Sequence, residues 1–392
     1  MTAFPACSEN ELTKLMRNRA ARDSVAMNFF AAGAYRFFTP ALVNEQTIRL
    51  QQPDRWRGKL LDNEYHEQEQ RLQAGLQALS ALPHCSLLAQ DRVTTLAQLL
   101  RQLAPESNKR ASVLIGATVA PAIRHALRCQ LKYDAIDLVV VDYDKQQGRV
   151  SPKHLQAQAA DNVLAVIIGW PNFFSLLEDV EQIARWSHQQ QASLIVLSDP
   201  LAMSLLDSPC NPAAPSIDFL LGEFTSLGLP VNRQGCAPGF VLSAQPLQGD
   251  LEQRAGTQSI DEMALIIESF HLLAQPEGLQ GVHQSRRLLD RLLQKLSEIN
   301  QLSIRFSAPH VLECVIRVGA IDLQKAQRIL SGHNMLAGYF LADEYPELQD
   351  CLLLGCSDLH SVEDIDKFAS KINTVVKNLS TAGCPVKPKF DR

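Results

Sequence analysis

The stretch VLAVIIGWPNFFSLLEDVEQIARWSHQQ, residues 163–190, decides how the chain is read. Its first seven residues, Val163 to Gly169, form one unbroken apolar run, the pattern of a strand buried on both faces. Further on, Leu177, Val180, Ile183 and Ala184 fall on one stripe, which predicts an amphipathic helix over 176–190. Ser175, with Glu178 three residues later, reads as its N-cap and capping box, and Glu178, Asp179 and Glu181 complement the positive end of the helix dipole. Between strand and helix stand Pro171, Asn172, Phe173 and Phe174, two rings and an amide where a short polar turn would suffice. They lie beyond the carboxyl end of a strand, the place where open α/β sheets bind ligands. Rings closing a corner against a neighbouring helix is the other reading, and both stay open.

The same alternation continues on either side. Apolar runs at 112–116, 136–142, 193–199, 219–222 and 239–242 are separated by helical patterns at 119–130 and from Ser151. Continuous apolar strands between helices predict a mostly parallel sheet covered on both faces. No GxGxxG and no GxxxxGK[ST] follows any of these runs, so a dinucleotide or nucleoside triphosphate site has no support. A helix at 258–274 and the Arg/Leu-rich 282–298 read as a connector. Strands near 302–306, 310–318 and 336–341, a helix at 321–331, Leu352-Leu353-Leu354-Gly355 and a helix at 362–377 follow. The last helix opens on Ser361-Val362-Glu363-Asp364, a capping-box type of start. The expected division is an N-terminal arm over 1–65, a large α/β domain over 66–275, a small α+β domain over 276–380 and a loose tail over 381–392.

The 392 residues are 46% hydrophobic and 20% charged, with a formal net charge of -5. This is ordinary for a globular chain and leaves no basic footprint for nucleic acid or a membrane surface. The longest apolar runs fall far short of a bilayer span, and residues 1–30 lack the order of a signal peptide. The nine cysteines form no CxxC pair and mostly lie within apolar runs, the pattern of reduced thiols in a cytoplasmic protein. The ten histidines show no metal-ligand spacing with carboxylates or thiols, and no serine sits in a GxSxG turn.

Several stretches together resemble one family. They are Phe29-Phe30-Ala31-Ala32-Gly33-Ala34-Tyr35, Thr39-Pro40-Ala41-Leu42-Val43, Pro171-Asn172-Phe173-Phe174 with Glu178-Asp179, and Asp199-Pro200-Leu201. To these add Gly222-Glu223 with Leu227-Gly228, Pro230, Gly235 and Gly239-Phe240, then Leu336-Ala337-Gly338-Tyr339 and Tyr345-Pro346-Glu347-Leu348, and finally Glu363-Asp364-Ile365-Asp366. In this order they resemble the glycine decarboxylase P-protein of the glycine cleavage system, and most closely the first of the two chains found where P-protein is split. The resemblance implies the aspartate-aminotransferase-like fold of pyridoxal phosphate (PLP) enzymes, fold type I. It also implies a reaction of glycine catabolism, in which glycine is decarboxylated on PLP and its aminomethyl group passes to the lipoyl arm of H-protein.

Such chemistry needs a lysine to hold the cofactor, which in this fold lies between about Asp199 and Gly239. No lysine occurs between Lys153 and Lys295, so no residue of this chain is assigned as a catalyst. The resemblance implies that PLP sits on a Lys-bearing second subunit, with lipoylated H-protein as the further partner. Gly33, Tyr35, Asn172, Phe173, Phe174, Asp199, Glu223 and Gly235 are the candidates for a shared site or an interface. Asp199 ends a strand where this fold sets an acid against the pyridine nitrogen. With Pro200 next to it and no lysine to match, it reads as a structural relic of that site.

Two stretches depart from the family pattern. Residues 57–75 keep little beyond Glu67 and Gln70 of the family's Tyr-Thr-Pro-Tyr-Gln-Pro-Glu element. An Arg-rich family segment is shortened to Gln253-Arg254-Ala255-Gly256-Thr257-Gln258-Ser259-Ile260. These losses keep a second reading open, a catalytically inactive scaffold or regulatory homologue of a P-protein subunit.

Overall fold

In the computed structural model the described residues are 27–28, 59–88, 90–104, 110–159, 162–210, 216–227, 239–247, 266–267, 270, 273–274, 276–319, 321–357 and 360–381. Seven strands make the large sheet: β2 (His84–Leu88), β3 (Ala111–Gly116), β4 (Ile136–Val141), β5 (Val163–Gly169), β6 (Ser193–Leu197), β7 (Phe219–Glu223) and β8 (Gly239–Ser243). Their order is β2-β8-β7-β6-β5-β3-β4. Pairing is parallel from β7 through β6, β5 and β3 to β4, and antiparallel where β8 meets β7 and β2.

Alternate residues of each strand feed two separate cores, as the pleat requires. On one face Leu114, Val166, Ile168, Leu194, Val196 and Leu220 pack with α1 (Lys59–Ser80), α4 (Pro152–Gln158), α5 (Val180–Gln189) and α6 (Pro200–Leu205). On the other, Val113, Ile115, Ala165, Ile167, Ile195 and Leu197 meet α2 (Arg92–Leu103) and α3 (Pro121–Gln130). Full burial of each such side chain contributes about 1.5–3 kcal/mol, which explains why these strands read as unbroken apolar runs. Proline opens α3, α4 and α6, where a missing N–H does no harm.

After α7 (Pro276–Ser297) a four-stranded antiparallel sheet follows, ordered β12-β13-β10-β9. Its strands are β9 (Leu302–Ile304), β10 (Glu313–Val318), β12 (Tyr339–Phe340) and β13 (Cys351–Gly355). One face carries a third core, shared with α7, α8 (Leu323–Ser331) and α9 (Val362–Thr381). The other side, through Phe306, Val311, Val315, Leu341 and Tyr345, joins the first core of the large sheet. A short β1 (Met27–Asn28) pairs in parallel with β11 (Met335–Leu336).

Most expected elements are present, with shifted ends. The strand expected over 336–341 is two short strands, because Gly338 turns the chain with φ +102. Ser361 and Asp364 do form the expected reciprocal cap: Ser361 N–H donates to the Asp364 carboxylate and Asp364 N–H to Ser361 Oγ. The helix expected over 258–274 lies almost wholly outside the described residues.

One expectation is corrected. Ser175 is not a helix N-cap, and Glu178 does not complete a capping box. Helix α5 begins at Val180, capped by Asp179, whose carboxylate accepts the N–H of Gln182 at 3.0 Å. Ser175 sits in the left-handed region at φ 61, which no N-cap adopts. The residues from Trp170 to Asp179 are therefore a loop with its own internal order.

Candidate functional site

That loop is built on Asn172. Its Oδ1 accepts the N–H groups of Phe174 (3.0 Å) and Leu176 (3.1 Å), an Asx-type turn, and the N–H of Asn172 donates to Leu176 O at 2.8 Å. Its Nδ2 donates to Gly148 O and to Glu178 Oε1, each at 2.9 Å. Both amide protons are thus used, and the oxygen accepts twice. Asn172 is 5% exposed.

Glu178 is the second centre, 4% exposed. Thr118, in the loop after β3, donates its hydroxyl to Glu178 Oε1 at 2.7 Å. The N–H of Val150, in the loop after β4, donates to Oε2 at 2.8 Å. With Asn172 this makes three donors from three strand-end loops. Burial still pushes the carboxyl up to about 7, against the pull of these donors and of Arg149.

The small sheet attaches here. Ser175 Oγ accepts the N–H groups of Leu312 and Glu313, both at 3.0 Å, and Ser175 O accepts that of Val311 at 2.8 Å. Phe173 N–H donates to Thr118 O at 2.7 Å. The Phe173 ring stacks on Tyr345 at 6.0 Å, and Phe174 meets Tyr345 edge-on at 5.0 Å and Phe306 at 4.9 Å. Tyr345 donates its hydroxyl to Ala117 O at 2.7 Å and accepts from Arg124 at 3.3 Å. Burial pushes the Tyr345 hydroxyl well above its usual range, so it stays protonated as a donor.

Asp199 and Glu223 lie apart from this loop, at the carboxyl ends of the adjacent strands β6 and β7. Asp199 accepts the N–H groups of Leu201 (3.0 Å) and Ala202 (3.1 Å), capping α6 with Pro200 at its first position. Burial raises its pKa, with those N–H groups and the charge of Arg92 acting in the opposite direction. Arg92 also lies 3.5 Å from Glu223, which accepts the Thr225 hydroxyl at 2.9 Å. Gly222 faces the Phe240 ring, where a Cβ would come within 2.2 Å of Cζ. Gly33, Tyr35 and Gly235 lie outside the described residues.

The structure therefore brings Asn172, Phe173 and Phe174 together with residues that sequence reasoning missed, namely Thr118, Arg124, Ser175 in its actual role, and Tyr345. Glu178 was noticed, but as a helix cap. The one available signal was the surplus of Pro171 to Phe174 over what a turn needs. Among the described residues, no group of three His, Cys, Asp or Glu side chains is placed to hold a metal ion, and no helix is long and apolar enough to cross a membrane.

A parallel sheet with one reversed strand, flanked by helices and followed by a small antiparallel sheet, is the architecture of the PLP-dependent enzymes of fold type I, the aspartate-aminotransferase-like fold. Solved structures share it. An inhibitor-bound glycine decarboxylase (P-protein) of the glycine cleavage system superposes with a TM-score of 0.69 at 18% identity, covering 96% of this chain and 91% of that one. The cysteine desulfurase CsdA of Escherichia coli gives 0.70 at 11% identity, covering 94% and 99%.

Sequence comparison narrows the class. The family model of the glycine cleavage system P-protein matches residues 70–263. A probable glycine dehydrogenase (decarboxylating) subunit 1 of Methylococcus capsulatus is 28% identical over 419 residues, covering 95% of this chain and 90% of the relative. The corresponding protein of Nitrosospira multiformis is 27% identical over 422 residues with the same coverage. Over these residues the chain is similar to the glycine cleavage system P-protein family, and over nearly its whole length to these subunit 1 proteins.

Proposed function

We propose that this chain is the non-lysine subunit of a glycine-decarboxylating PLP enzyme, working only with a Lys-bearing second subunit and passing the aminomethyl group to lipoylated H-protein. The observation that carries the reading is the absence of lysine between Lys153 and Lys295, in a chain whose relatives are called subunit 1 of a glycine dehydrogenase. No other side chain replaces a lysine as the amine of a Schiff base.

A covalently held PLP does not fit the residues of this chain. Besides the missing amine, the acid at the end of β6 is buried and committed to capping α6. The Phe240 ring lies against Gly222 at the end of β7. No step of the chemistry is therefore assigned to this chain's own residues. Its contribution is a fixed surface: the Asn172 and Glu178 network holds the loops after β3, β4 and β5 in one arrangement, against which a partner's site is completed.

A second reading, a non-catalytic scaffold that pairs with such a subunit, is favoured by the depleted stretches 57–75 and 253–260. One experiment separates the two. The chain is co-expressed with a Lys-bearing P-protein subunit and assayed for glycine–bicarbonate exchange with H-protein. Exchange that requires both chains supports the first reading, and a stable pair without exchange supports the second. A PLP imine fixed by borohydride on a lysine of this chain alone rejects both.

A further inference from the structure

We propose that Glu178 is a proton-linked latch, whose ionisation loosens the seat of residues 311–313 on the strand-end loops of the large sheet. This inference is independent of any partner subunit or cofactor.

The carboxylate takes one donor from each of three loops: Thr118 after β3, Val150 after β4 and Asn172 after β5. Among the described residues no Lys, Arg or His lies within 4.0 Å of it. The charged groups around it are turned elsewhere. From the loop after β4, Arg149 donates to Gln147 Oε1 and Leu177 O. From α3, Arg124 donates to Val119 O and Tyr345. On its own loop Asp179 is exposed and caps α5, and from the small sheet Tyr345 donates to Ala117 O.

The neutral form fits these contacts without movement. A hydroxyl rotates freely between donor and acceptor roles. A proton on Oε1 is therefore given to Thr118 Oγ1, while Asn172 and Val150 keep donating to the remaining lone pairs. The ionised form is a buried charge with no cation within 4.0 Å among the described residues, only the more distant pull of Arg149, and hydration is what relieves it. Water reaches it only if the three loops separate. One of these three loops carries both Glu178 and Ser175, and Ser175 holds the amides of Val311, Leu312 and Glu313.

The sign follows from the shift. Burial raises the folded-state carboxyl to about 7 from its ordinary value of 4.5. The stability it contributes is fully present below the lower value and is lost as pH rises through the higher one. Opening of this seat is therefore easier on the alkaline side.

The test is amide hydrogen exchange at Leu176, Leu312 and Glu313 in the full chain at pH 6 and pH 8.5, corrected for intrinsic exchange. Linkage with these two values predicts an opening constant about tenfold larger at the higher pH. Glu178→Gln removes that rise. An unmodified chain without the rise, or a Glu178→Gln chain with the same rise, overturns the proposal. Because a Gln amide sets one N–H against another donor here, a second measurement uses the unmodified chain. The ¹³C resonance of the Glu178 carboxyl is titrated: a midpoint near 7 supports the latch, and one at the ordinary carboxylate value overturns it.

Discussion

The Tyr345 hydroxyl donates to the carbonyl of Ala117 at 2.7 Å, joining residues 228 positions apart. One partner begins the loop after β3 and the other lies between β12 and β13 of the small sheet. The bond therefore measures how firmly the two sheets are joined, and changes there and in the neighbouring loop have defined outcomes.

Tyr345→Phe keeps the ring contacts with Phe173 and Phe174 and removes only the hydroxyl. It leaves Ala117 O and a buried Arg124 N–H without this partner, so a loss of about 1–3 kcal/mol is expected. Chemical denaturation with an unchanged m-value checks it. An unaffected midpoint would show that this bond does not join the sheets.

Ser175→Ala removes the acceptor of the Leu312 and Glu313 N–H groups while keeping a Cβ at φ 61. The expected loss is about 2–4 kcal/mol. Ser175→Gly loses the same bonds but relieves the left-handed backbone, and is expected to be about 1 kcal/mol milder. Thermal melts of the two variants give the order; Gly worse than Ala contradicts it.

Asn172→Asp places a second carboxylate against Glu178 and removes the donor to Gly148 O. Above pH 7 it is expected to destabilise more than Asn172→Ala, itself costing about 3–5 kcal/mol. Acidification narrows the difference as the pair takes up a proton. Melting curves at pH 5.5 and 8 decide, and a pH-independent difference counts against a charged Glu178.

Asp199→Asn keeps a good helix cap and removes a buried charge, so a stability change within about 1 kcal/mol is expected at pH 7. The raised pKa of Asp199 means that its contribution is present at low pH and lost as pH rises through the folded value. The Asn variant should therefore hold its stability better on the alkaline side. Glycine–bicarbonate exchange with the partner subunit should survive the change. Abolished exchange with intact folding would instead give Asp199 a role at the reacting centre.

Much of the fold was legible because burial on both faces leaves unbroken apolar runs such as Val163 to Gly169, and period 2 or 3.6 is a local property. Asp322, which caps α8, and Pro121, Pro152 and Pro200 mark helix starts in the same local way. The loop after β5 misled because Ser175 and Glu178 have the spacing of a capping box while their real partners lie elsewhere. Leu312 and Glu313 are 137 and 138 residues from Ser175, and Thr118 is 60 from Glu178. Nothing local distinguishes a carboxylate that caps its own helix from one that binds its own loop to two distant ones. Asp199 was read as a relic beside a proline, and the structure gives that proline its local meaning: Asp199 caps α6, with Pro200 at the first helical position.

The segment from Trp170 to Asp179 carries a consequence for the history of the chain. Asn172 fixes the turn from within, Ser175 fixes residues 311–313 from its midpoint, and Glu178 fixes its far end to two other strands. The segment is a gauge of set length. Side chains along it are free to drift where chemistry allows, but an inserted or deleted residue would put one anchor out of step with the other two. Among relatives that keep both sheets, substitutions are expected within these ten positions, and gaps are not.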